Sequence, residues 1–175
     1  MKEKIITTTT KGLVIGLLLI VISMIIFLEN VTPSNPVKWL VLLVFIVGII
    51  WSVALYGKQI NYNSTLGNYF AHGFKITALV TSLMIIFMVI LIFAFPEFKQ
   101  KAIQDQKSAM AAQKAFTTEQ IEAWATGMSK FFTVITLGAT LLMYVVVGAI
   151  ASLVGAIITK KEPNNFVDRS NQITQ

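Results

Sequence analysis

The chain has 175 residues, of which 55% are hydrophobic and 13% charged, with a net charge of +6 and no cysteine. Soluble domains carry about 25% charged residues, so this composition does not serve a surface facing water. Without cysteine there is no disulfide framework, no thiolate metal site and no cysteine nucleophile. The basic excess does not point to nucleic acid either, because the lysines stand at the edges of apolar runs, where anionic headgroups meet them.

In chain order, Lys2, Lys4 and Lys11 precede the first apolar run, Gly12–Leu28. No small-x-small cleavage site follows Leu28, so the run reads as an uncleaved span rather than a signal peptide. It is short and borrows Thr7–Thr10 to reach membrane thickness. Glu29–Pro36 reads as a tight turn punctuated by Pro33 and Pro36. Val37–Tyr56 and Gly73–Phe95 each match the roughly 20 residues a span requires. Gly57–His72 between them is turn-rich and too polar to cross. Phe131–Thr159 is long enough that it must tilt or project. Lys160-Lys161 then open a tail that reads as disordered. Within the four runs the only charged residues are Lys38 and Lys75, near ends where they snorkel to the interface.

These runs predict an all-α integral membrane bundle of four transmembrane helices, with spans at about 10–28, 37–56, 73–95 and 131–159 in a domain of residues 1–162. A flexible tail follows at 163–175. With the N-terminus inside, Lys2, Lys4, Lys11, Lys58, Lys75, Lys160, Lys161 and Arg169 face the cytoplasm. Lys38, Lys99, Lys101, Lys107, Lys114 and Lys130 face the other side. That excess of eight over six favours cytoplasmic N- and C-termini.

The polar stretch 96–130 between the third and fourth spans reads as a helical extramembrane loop. Pro96 ends the third span, and Glu97–Ala115 is rich in helix formers. Its apolar residues Phe98, Ile103 and Met110 are sparse, so this half is expected to be mostly wet. Thr117-Thr118-Glu119-Gln120 matches a capping box, with Phe116 and Ile121 placed for a hydrophobic staple. Ile121, Trp124, Ala125 and Met128 then fall on one helical face, and Gly127 offers a bend. That face packs on the membrane surface and bundle, with Ile121, Trp124 and Met128 as candidate partner contacts.

Little in the chain supports catalysis. His72 is the lone histidine, which excludes a multi-histidine metal site. It reads as an interfacial polar residue at the mouth of the third span. No acidic residue lies inside a span, which counts against proton-coupled transport, and no nucleotide or nucleophile motif is present. The expectation is therefore no catalytic residue, no metal and no cofactor. Hydroxyls form two stripes: Thr77 and Thr81 on the third span, and Thr133, Thr136, Thr140 and Tyr144 on the fourth. The latter four are a candidate polar lining. The stripes fall at different depths, so bonding to the helix backbone or across a helix pair is the preferred reading.

Small residues give the packing signal. Gly12 and Gly16 form a GxxxG pattern, and Gly148, Ser152 and Gly155 line a face of the fourth span, with Ala151 alongside. Such faces allow close backbone approach. Both lie in the same half of the membrane, which predicts that the first and fourth helices pack there, with homodimerisation as the competing use.

Three segments, LGNYFAHGFKITALVTSL, FPEFKQKAIQDQ and GAIASLVGAIITKKEP, resemble a bacterial family known as domain of unknown function 4199, over roughly residues 10 to 162. The resemblance implies a small four-helix protein of the bacterial inner membrane, with a helical loop before the last span. It supplies no site residues. The functional expectation is a non-enzymatic structural or accessory protein, held in the lipid bilayer, that contacts a membrane or envelope protein or a second copy of itself. The alternative is a passive conduit or small-solute transporter subunit.

Overall fold

The computed structural model describes residues 7–29 and 36–160, without the Lys38 side chain. The turn around Pro33 and the tail after Lys160 therefore lie outside the described residues. Five helices follow one another: α1 (Thr8–Leu28), α2 (Lys38–Gln59), α3 (Leu66–Ala94), α4 (Pro96–Ala112) and α5 (Thr118–Thr159). Four of them, all but α4, are long and apolar enough to cross a membrane. The protein is an all-helical, multi-pass membrane bundle.

Local chemistry sets the helix ends. Thr7 caps α1 by accepting from the Thr10 amide, so the threonines do extend the first span. Thr65 caps α3 by accepting from the Asn68 amide, which satisfies an orphan N–H of the first turn. The third helix therefore begins seven residues before Gly73, and the polar connection shrinks to a turn. Asn61 (φ 53°) and Tyr62 (φ 59°) form that turn in the left-handed region, which asparagine tolerates better than most residues. Pro96 occupies the first turn of α4, where its missing N–H costs no bond. Only Phe95 separates α3 from α4.

Thr117 and Gln120 form the capping box expected at the start of α5: Gln120 N–H donates to Thr117 Oγ1 and Thr117 N–H to Gln120 Oε1. Phe116 remains 43% exposed, so the box holds this end without a buried staple. The 42 residues of α5 run about 63 Å at 1.5 Å per residue, roughly twice the 30 Å hydrocarbon thickness. The helix bends at Phe131 (φ −111°, ψ 16°), not at Gly127. The bend falls between Trp124 and Met128, which border α4, and Tyr144 and Gly148, which meet α2 and α3. Phe132 is buried and Phe131 exposed, so the bend also turns one ring inward.

The four spans form a rhombus. Helices α2 and α3 touch each other and both outer helices, while α1 and α5 occupy opposite corners and do not meet. The expected packing of the first helix on the fourth is thus overturned. Gly12 and Gly16 instead accept two leucines of α3: a methyl on either would lie 2.5 Å from Leu79 Cδ2 or Leu83 Cδ1. The α5 small face meets α3 and α2. Gly148 lies under Thr77, and a methyl on Gly155 would come within 3.3 Å of the Ile50 Cα. Lipid offers no solvent-driven force between helices, so this close approach is a main source of affinity. The core runs through Leu19, Phe45, Ile49, Val53, Ile76, Val80 and Met84.

Candidate functional site

Two regions of the bundle depart from apolar packing, one at each end. The first lies where α1 and α3 begin and α2 and α5 finish. Lys11, in the first turn of α1, is only 5% exposed. It shares a helical face with Ile15 and Leu19, four and eight residues on, and that face packs inward. Its ammonium group donates to Gln59 Oε1 at 3.2 Å and to the Ser52 carbonyl at 3.5 Å, both on α2.

Beside it, His72 of α3 is buried and lies flat on Tyr56, with ring centroids 4.1 Å apart and planes 6° apart. Its Nδ1 is 3.4 Å from Thr8 Oγ1. Tyr69 meets the same Tyr56 edge-on at 6.0 Å. Three helices thus converge on a wedge containing one ammonium, one imidazole and two phenol rings. Four buried polar atoms at this end, Ser52 Oγ, Tyr69 Oη, His72 Nε2 and Thr159 Oγ1, have no hydrogen-bond partner among the described residues. A charge or donor removed from water is costly unless paired, so this arrangement marks the end as specialised.

Sequence reasoning placed His72 at the interface and Lys11 in the flanking tail; the structure turns both inward. The available signal was the register of Lys11 with Gly12, Ile15, Gly16 and Leu19, all of which are buried. Lys75, by contrast, is exposed.

The hydroxyl stripes overlap at one point: Thr81 and Tyr144 each lie one turn from the level where Thr77 meets Gly148, while the fourth-span threonines lie further along. Thr77 lies against Gly148 and 3.5 Å from Ser152 Oγ. Ser152 donates to the Gly148 carbonyl at 2.6 Å and Thr81 to the Thr77 carbonyl at 2.7 Å. Their protons are taken by the helix backbone. Thr140 and Thr133 lie 8 and 15 residues before Gly148, about 12 and 22 Å along the helix. Thr133, Thr136 and Thr140 are partly exposed. Tyr144 is buried edge-on against Phe45, with ring centroids 4.9 Å apart.

The second region is the hairpin of α4 and the first part of α5. Phe98 anchors it: its ring lies 5.9 Å from Phe27 of α1 and 6.1 Å from Phe132 of α5. Phe27 also meets Phe95 at 5.3 Å. Lys107 and Glu122 pair across the hairpin, a surface contact worth at most about 1 kcal/mol. Ile121 is buried, and Trp124, Met128 and Thr136 border a hollow of about 290 Å³ facing Phe98 and Ile103 of α4. The face proposed for a partner is therefore turned toward α4. At the tip, every residue of 111–120 is exposed.

A family model described as "Protein of unknown function (DUF4199)" matches residues 10–161. No curated protein and no solved structure matches the chain.

Proposed function

The chain belongs to the DUF4199 family, and from that premise we propose that it is a non-enzymatic accessory protein of the bacterial cytoplasmic membrane, both termini inside, which contacts a protein partner through its hairpin tip. The supporting observation is the tip itself. Phe116 is 43% exposed there, whereas Ile121 and Ala125 below it face inward. At about 1.5 Å per residue, α5 is long enough to carry the tip beyond the bilayer. An aromatic ring raised on a two-helix stalk supplies area and geometry for recognition at little conformational cost. The conduit alternative has weaker support, because Leu19, Phe45, Ile49, Val80 and Met84 fill the interior.

A photo-crosslinking residue at position 116 in intact cells should yield one dominant membrane-protein adduct. Crosslinks only to lipid, or to many abundant proteins equally, would reject the partner reading. A single cysteine at Ala111 should react with a membrane-impermeant maleimide in intact cells; protection would reverse the orientation. Purified protein in sealed vesicles should pass no solute. Reproducible flux abolished by bulky residues at Thr136 or Thr140 would replace this proposal with the conduit.

A further inference from the structure

Helices α1 and α4 meet through the rings of Phe27 and Phe98, and beside that contact lies a cleft of about 310 Å³ floored by α3. Met84, Met88 and Leu91 form the floor, Ser23 and Phe27 one wall, and Phe98 the other. A hollow lined this way stays dry, since water would find almost no hydrogen-bond partner. On the flank of a membrane-spanning bundle, the surrounding material that fits it is acyl chain.

The α4 side of the cleft is different. Lys101 and Asp105 border it, and Lys101 also borders an adjoining hollow of about 340 Å³ that Glu97 closes. Glu97, Lys101 and Asp105 are spaced four residues apart, so they share one face of α4. The helix starts one residue after α3 ends, which sets this face near headgroup depth. An apolar chamber thus meets a charged one, and a single cation stands between two carboxylates.

We infer that this cleft seats one zwitterionic phospholipid with a primary ammonium, its acyl chain on Met84 and Met88 and its head along α4. The phosphodiester accepts from Lys101 and the ammonium donates to Asp105, both on the cleft, while Glu97, about two turns from Asp105, adds negative potential from the adjoining hollow. A purely anionic head would meet two carboxylates for one ammonium. A quaternary choline head has no N–H to give them. The inference is independent of what the hairpin tip contacts.

The test is native mass spectrometry of the full chain in detergent, offered equal amounts of phosphatidylethanolamine, phosphatidylglycerol and phosphatidylcholine with matched chains. The ethanolamine lipid should be retained about tenfold over the other two, the ratio expected from one charge-assisted hydrogen bond. Glu97→Lys with Asp105→Lys should reverse the preference toward the glycerol lipid. Met88→Trp should fill the apolar chamber and abolish the adduct. Leu43→Trp, at a position 58% exposed on α2, should leave it intact. Equal retention of the three lipids, an unreversed preference in the double-lysine variant, or an adduct that survives Met88→Trp overturns the inference. The charge variants lie outside the packed core and decide the matter even where Met88→Trp fails to assemble.

Discussion

The two ends of this bundle solve opposite problems. At the end where α1 begins, polar groups are drawn inward: Lys11, Ser52, His72 and Thr159 are each at most 7% exposed. A methyl added to Gly73 would lie 2.8 Å from both Ser152 Oγ and Val53 Cγ2. At the hairpin end, aromatic edges hold the helices together at points, with hollows of about 310, 340 and 290 Å³ between them. The first end is closely packed around Gly73. The second has space and exposed residues to offer something else.

The largest expected break is Gly73→Leu. Overpacking a tight junction costs about 3 kcal/mol, so the denaturant midpoint in mixed micelles should fall sharply. A midpoint within error of wild type would show that the polar end is not tightly packed. Next is Lys11→Ala, which leaves Gln59 and the Ser52 carbonyl without their donor and opens a hole. About 2 kcal/mol should be lost. Lys11→Met, which keeps the volume, should stay within about 1 kcal/mol of wild type. If both variants destabilise equally, the charge itself matters and the wedge holds more than packing.

Phe98→Ala removes two edge-on ring contacts, each worth about 1 kcal/mol. Amide exchange should quicken through 97–120 while the four spans keep their protection; loosening of all four spans would refute the division between the ends. The smallest effect is expected from Thr117→Ala. Loss of the cap should cost about 1 kcal/mol and fray only the first turn of α5, seen as faster exchange at Gln120 and Ile121.

What the sequence made legible was local or one-dimensional. Hydropathy alone locates the spans, because burial in lipid selects residue type without reference to partners. The Thr117–Gln120 box was readable because both hydrogen bonds close within four residues. Partner choice was not readable. Gly12 and Gly16 announce a close approach, but not that leucines of α3 rather than the glycines of α5 fill the groove. Lys11 was misplaced because a lysine at the edge of an apolar run looks the same whether it snorkels outward or turns inward. Only its register with Ile15 and Leu19 separates the two. The bend has its non-helical residue at Phe131, one turn beyond Gly127, so the glycine marked the neighbourhood of the bend but not its residue.

The placement of the Lys11 acceptors bears on how the chain assembles during synthesis. Both belong to α2, the helix that emerges immediately after α1. The ammonium can therefore gain hydrogen-bond acceptors within the first hairpin, before His72 or any part of α5 has left the ribosome. The pair enters the bilayer as a finished unit, its one expensive charge already housed. Helix α3 then docks onto a preformed surface, and α5, which never meets α1, closes the far corner last. Had the acceptors lain on α5, a bare lysine would have waited in lipid for more than a hundred residues of translation.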